Sequence, residues 1–469
     1  MKHDKTELLR QHRRNKRMIL FAAAAMLLLS GVIAGWWFVP LFALGLWLSH
    51  EAWFSDHLFY SPRSDYHFAL AGDWDRIASI ESGQIKLAGP LPAADTLVFS
   101  CRIESNLVGH FLDPWLEISG QRFHFERGSR GQRHWVMQQT NEMATAENIK
   151  VHTHHCQLHG PLHITGFRNP DFSEQRLLVL APHADDAELA AFGLYQAAND
   201  VMIVTLTQGE VEAGHYETLG LDPAQASRLK GRLRTWDSMA IPLWGNVPQT
   251  SCLQLGYYCM QLQSMQAAPE QSFGSRTSGE CDTRTARQWN SLPLPGDAQG
   301  NPTWRNLVAD LAAIVRHFRP QVIILPHPQI DPHPDHQATS HALQAALQEI
   351  SDRPASHFLL YANHLHNNDR WPMGPAGGGI TLPPRSSAGQ AERFWLRPIS
   401  DAAQLDKAMA LAMHHDLTTP QPRKRAFRRK VQQLLAARRW PRTGENEFFR
   451  KAVRAGELFS VHTTLDAED

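Results

Sequence analysis

Two short runs concentrate the chemistry of this chain. The first is His183-Ala184-Asp185-Asp186 followed by Glu188, and the second is His333-Pro334-Asp335-His336. A catalytic zinc takes three ligands of the His/Asp type and keeps a fourth position for water. His183 and Asp186, three apart at the opening of a helix, can point to one spot. His336 would complete an open site. Asp185 is adjacent and suited to take a proton from a metal-activated water. The oxyanion formed on attack needs a donor opposite, and His333 is placed for that, with Asp335 as a possible orienting partner. Polar residues satisfied at strand ends are the plainer reading, but five chemically matched side chains coincide here. His327 and Asp331 read as loop residues rather than site groups. Glu188 fits a charge in a helix's first turn as well as a functional role.

Both runs follow strand-like segments. Leu177–Pro182 is a continuous apolar run, as expected for a buried parallel strand, and a helix-like stretch over 189–198 and a second buried strand over 201–206 come after it. The second run repeats the plan, with an amphipathic helix over 307–318, a strand over 321–325, and a helix over 337–350 beyond the motif. Both clusters therefore lie at the carboxyl ends of strands, facing the crevice where open α/β sheets bind ligands.

With their order along the chain, these runs resemble the paired signatures of the PIG-L/LmbE-like de-N-acetylases, usually His-Pro-Asp-Asp and His-Pro-Asp-His. Thr205-x-Thr207-x-Gly209-Glu210 is similar to that family's second-strand motif. Lys407, Ala410-Leu411 and His414 resemble its late element, with Asp416-Leu417 where Ser-Gln is common. The resemblance spans residues from about 176 to 460 and departs from the pattern at Ala184, which replaces a proline. It implies a Rossmann-like three-layer α/β sandwich with a mostly parallel sheet over 175–465. It also implies zinc held by His183, Asp186 and His336, Asp185 as base, and His333 as the oxyanion or acid histidine. Ferrous iron would suit the same two-histidine, one-carboxylate set. The implied reaction removes an acetyl group from an N-acetylhexosamine conjugate.

Upstream the character differs. Residues 1–17 carry seven basic and two acidic side chains, and Met18 to Leu48 run without a charge or a histidine. This reads as a cytoplasmic basic tail followed by a membrane anchor over 18–54, by the positive-inside rule. Gly31, Gly35 and Pro40 interrupt the run and favour a hairpin of two short helices, which leaves the rest of the chain on the cytoplasmic face of a bacterial inner membrane. A single tilted span would export it. Over 60–170, short strand-like runs (96–103, 115–118, 122–126, 134–138 and 149–155) punctuated by turn residues predict a β-sandwich-like accessory domain. Its histidines 152, 154, 155, 159 and 163 read as partly exposed strand residues.

Lys+Arg and Asp+Glu are both 46, so the net charge of zero excludes a globally basic nucleic-acid binder. Five sparse cysteines argue against disulfide-based folding. The irregular stretch over 245–302 reads as disordered or as a lid, and 371–389 as a second such loop. Arg423 to Arg442 hold nine basic residues and no acid, suited to an anionic membrane surface, a phosphorylated glycan or a solvated helix face. These features point to a large anionic or lipid-linked glycan, for example the lipopolysaccharide core, as the substrate of a membrane-bound de-N-acetylase. The alternative is a membrane-anchored, non-catalytic glycan-binding protein.

Overall fold

Five consecutive buried apolar residues need cover on both faces, and the fold supplies it around Leu177–Ala181. The computed structural model describes residues 5–56, 59–351, 357–365, 367–385 and 389–465. In the α/β part, strands β1 (Leu177–Ala181), β2 (Val201–Thr207), β3 (Cys252–Tyr257), β4 (Val322–Pro326), β5 (His357–Tyr361), β6 (Ala391–Pro398) and β7 (Gly456–His462) form one sheet. Its order is β6-β7-β5-β4-β1-β2-β3, with Ala69–Leu70 outside β6. The pairs among β1 to β5 are parallel, and β7 runs antiparallel to both β5 and β6.

Alternate side chains of β1 enter different cores. Leu178 and Leu180 pack with helices α3 (Trp304–Phe318) and α4 (Pro334–Gln348). Leu177, Val179 and Ala181 pack with α1 (Asp186–Ala197) and with Ala410 of α5 (Asp401–Met413). The sheet is therefore the middle of three layers. Strands are added on one side of β1 as far as β3, and then β4 returns to its other side. That reversal opens a crevice between the ends of β1 and β4.

The remaining strands form an antiparallel, nine-stranded sheet. Thr96–Ser105 lies between Arg130–Gln138 and Cys156–Phe167. The runs expected near 96, 115, 122, 134 and 149 are strands, and Trp74–Glu81 and Cys156–Phe167 were not anticipated. The latter is interrupted by Gly160-Pro161, and its first half faces solvent, which removes the alternation that marks a half-buried strand. Ile380–Thr381 joins this sheet through Arg130–Gln138, and Val98, Val136 and Phe167 share a core with Trp371, Phe394 and Leu396. His152, His154, His159 and His163 are exposed, with His154 stacked on Trp115.

At the N-terminus one helix covers Lys5–Ala34, Gly35 turns at φ 96°, and a second helix runs over Val39–Ser49. A side chain at Gly31 would lie 2.8 Å from the Trp36 ring, so the turn needs a small residue there. The chain folds back on itself: the His12 ring lies 5.9 Å from the Phe59 ring. The limbs are unequal rather than both short. Leu9–Ile33 is long and apolar enough to cross a membrane, whereas the 11-residue second limb spans only about 16 Å.

The stretch over 245–302 is ordered, contrary to the loop expectation. It contains β3 and the helices Leu262–Ala267 and Arg284–Arg287. Its strand is short and carries Gln254 and Gly256, which hides it among turn-forming residues.

His134 gives the antiparallel sheet a pH signature. Its Nδ1 lies 2.6 Å from Ser100 Oγ and its Nε2 2.9 Å from the Tyr66 carbonyl. Burial pushes its pKa down to about 4. An unfolded histidine titrates near 6.5, so the unfolded chain binds more protons between those values, and stability falls as pH drops through that window. The full shift corresponds to roughly 3 kcal/mol. Denaturant unfolding in detergent at pH 7 and 4.5 should show a smaller acid loss for His134→Gln than for the wild type. Equal losses would remove His134 from this account.

Candidate metal centre and active site

The two motifs meet in the β1/β4 crevice. Pro182 is pinned at the end of β1 because Thr207 donates to its carbonyl from both Oγ1 (2.8 Å) and the backbone nitrogen (3.1 Å). The next three residues turn into α1, and the His183 backbone N–H closes that turn on Asp186 Oδ2 at 2.9 Å. Across the crevice His333 is the N-cap of α4, with its Nδ1 accepting the Asp335 N–H at 3.3 Å, and His336 sits on the helix's first turn.

His183 Nδ1, Asp186 Oδ2 and His336 Nε2 form a triangle with edges of 3.1, 3.2 and 3.3 Å. A tetrahedral ion with bonds of about 2.0–2.1 Å requires ligand atoms about 3.3 Å apart. Each imidazole is held from behind by a carboxylate. His183 Nε2 faces Asp335 Oδ2 at 3.3 Å, and His336 Nδ1 faces Asp331 Oδ2 at 2.9 Å. Protons on those outer nitrogens leave both inner lone pairs directed at Asp186, the arrangement that metal-binding histidines adopt. Burial would lower the pKa of His336, yet Asp186 and Asp331 hold it at about 9. Such an excess of negative charge suits a divalent cation. The residues present therefore fit a metal.

Asp335 departs from its expected role. Its carboxylate turns to His183 and to the Met260 N–H (2.7 Å), and only its backbone reaches His333. Positions i and i+2 of a helix do not face each other, so the carboxylate cannot reach back to the N-cap. His333 lies beside the cluster, its ring centroid 4.8 Å from that of His183. Burial, together with His183 and His336, pushes its pKa down to about 3, so it is neutral.

Asp185 is buried beside Asp186, and Arg234 Nη2 of α2 (Pro223–Ala240) binds its Oδ1 at 2.9 Å. Burial raises the pKa of the Asp185 carboxyl most strongly, but the Arg234 guanidinium, with His414 and His183, more than offsets it and lowers the pKa below the usual carboxylate value. Arg234 also binds Asp416 at 2.5 Å, and Lys230 binds the other oxygen of Asp416 at 2.9 Å. The departure at Asp416 thus belongs to a chain of charges that ends on Asp185.

The structure adds residues that the motifs did not mark. Asp331 is fully buried and accepts from His333 N (3.1 Å), Asn363 N (2.9 Å) and His364 N (3.1 Å), so it ties its own loop to the loop after β5 rather than lying idle. Asn363 Nδ2 donates to Asp186 Oδ1 at 2.8 Å. His364 has a ligand atom within 4.8 Å of those of Asp186 and His336. Both residues follow β5, and that strand-end position is the signal that could have found them. Cys259 Sγ lies 3.6 Å from His183 Nε2. Glu188 braces Tyr195 and His414, and Lys407 is buried against Glu457. The His327 ring organises its loop by accepting from Gln329 and Ile330.

Replacing Asp331 with Asn should leave His336 in place but loosen its tautomer and orientation, weakening metal binding by about 10–100-fold. Competition titration with a chelating indicator reads this directly. An unchanged affinity would sink the role given to Asp331.

Residues 268–347 match the family model described as PIG-L, GlcNAc-PI de-N-acetylase. No curated protein matches the chain. Among solved structures, it is similar to a triple mutant of a deacetylase involved in teicoplanin biosynthesis (17% identity, 62% of this chain, 100% of that chain, TM-score 0.32). It is also similar to the conserved protein TT1542 from Thermus thermophilus (19% identity, 55% of this chain, 87% of that chain, TM-score 0.27). A third is GalB, a 4-carboxy-2-hydroxymuconate hydratase from Pseudomonas putida KT2440 (12% identity, 61% of this chain, 95% of that chain, TM-score 0.29). The matched segment, residues 268–347, contains the second motif, His333 to His336, and the helix that follows it.

Proposed function

We propose that the chain is a membrane-anchored, metal-dependent hydrolase that removes the acetyl group from an N-acetylhexosamine of a cell-envelope glycan, with the lipopolysaccharide core as the preferred example. The observation that carries this reading is the triangle of His183, Asp186 and His336, with the ionised Asp185 next in the chain to one of its corners. A structural metal site needs no adjacent base, and this disfavours a purely glycan-binding protein.

A zinc or ferrous ion on those three residues would polarise the acetamide carbonyl and acidify a water. Asp185, held as a carboxylate by Arg234, takes the proton of the attacking water. The Nδ1 of His333 accepts the Asp335 N–H, so its proton resides on Nε2, which can donate to the oxygen that becomes negative. Return of a proton to the nitrogen releases acetate and a free amine. The product gains a positive charge, a consequential change on an anionic glycan.

Support for the anchor comes from the hairpin, whose return brings the basic tail and the body of the chain to the same side. By the positive-inside rule that side is the cytoplasmic face of the bacterial inner membrane. A small soluble glycoside would not require an anchor, whereas a lipid-linked one would.

Acetate release from purified envelope glycans, compared between the wild type and Asp185→Asn, tests the reading. The variant should retain metal and lose activity by about 10²–10⁴-fold. Equal release by both proteins would exclude Asp185 as the base. No release by a metal-loaded wild type from any fraction would favour the glycan-binding alternative.

A further inference from the structure

We infer that the base of the hairpin carries a cationic collar that binds the headgroups of anionic phospholipids and fixes the orientation of the catalytic domain on the bilayer. This rests on the reading of the N-terminal hairpin as a membrane anchor and adds a specific lipid chemistry to it. Two parts of the chain, far apart in sequence, build the collar. One is the first limb, where the turns over Arg10–Arg17 expose five cations. The other is α6 (Arg423–Leu435), which exposes Arg423, Lys424, Arg425 and Lys430.

Specific contacts hold α6, and Arg438 just beyond it, against the second limb and its continuation to Asp56. Phe427 stacks on Trp47 with ring centroids 4.9 Å apart and planes within 6°. Arg428 Nε binds Glu51 at 2.5 Å, Gln432 Nε2 reaches Ser55 Oγ at 3.1 Å, and Arg438 binds Asp56 at 3.2 Å. The successive partners 47, 51, 55 and 56 show that α6 runs alongside the limb, with its N-terminal end nearest the apolar segment. Arg423 to Arg425 therefore stand near the level of Trp47, and aromatic residues of that kind mark the headgroup region of membrane anchors. The first limb returns beside the second as far as His12, which contacts Phe59, so Arg10 to Arg17 lie at the base of the hairpin, on the same side of its apolar segment as α6.

The local charges explain why the collar stays positive. Glu51 and Asp56 are committed to Arg428 and Arg438, and no acid occurs between Arg423 and Arg442. Among the described residues no side chain caps the start of α6, which leaves its first N–H groups for an anionic acceptor. A solvated helix face would gain nothing from being bolted to the anchor at this height. Anionic headgroups are the complementary partner, each cation near such a surface adding to the attraction.

The test uses the full chain in lipid nanodiscs of phosphatidylcholine alone or with about one third phosphatidylglycerol, read by hydrogen–deuterium exchange. Amides over Arg423–Lys430 should exchange about five-fold more slowly in the anionic discs. The protection should disappear at about 0.5 M salt, which screens such contacts. In the R423E/K424E/R425E variant the difference between the two discs should vanish. Equal exchange in both discs by an inserted wild-type chain overturns the collar and leaves the anchor standing. Failure to enter either disc overturns the anchor, and the collar with it.

Discussion

One carboxylate oxygen organises the site. Asp186 Oδ2 accepts the His183 backbone N–H, which shapes the turn out of β1, and it faces the imidazoles of His183 and His336. The second task, through His336, demands that the ends of β1 and β4 lie side by side. The chain achieves this by adding strands outward to β3 and then returning to the other side of β1. The five buried apolar residues of β1 and of β4 set that geometry, since each strand is covered by helices on both faces. A slip of one residue in the β1/β4 register would exchange the two cores and move the ligands apart.

The same constraint explains which parts of the chain could be read beforehand. An apolar run followed within a few residues by His and Asp is a local pattern, so β1, β4 and their motifs were legible. Asp331 was not, because its value depends on meeting His336, Asn363 and His364, which only the folded crevice brings together. The loop at Cys259 and Met260 lay hidden in a stretch of Gln, Ser and Gly whose six-residue strand has little periodicity of its own. The nine-stranded sheet was legible where polar and apolar residues alternate. It was lost where a strand has one solvated half, as in Cys156–Phe167.

Arg234 was the least visible residue of all, and the physics of burial shows why it matters. Its side chain is almost inaccessible, and a lone guanidinium there would carry a desolvation penalty of several kcal/mol. Two carboxylates offset that penalty, Asp185 on one side and Asp416 on the other, with Lys230 balancing the second. Space for it is equally specific: at Gly209, with φ 63°, a side chain would come within 2.4 Å of Arg234 Nε. Gly209, Arg234 and Asp416 therefore act as a unit whose output is the charge and orientation of Asp185. The arrangement has a chemical consequence. A carboxylate paired with a guanidinium is a weaker base than a free one, so Asp185 gives up some proton affinity for a fixed position beside the metal ligands. That exchange is favourable when the water is already acidified by a cation, because the base then needs placement more than strength.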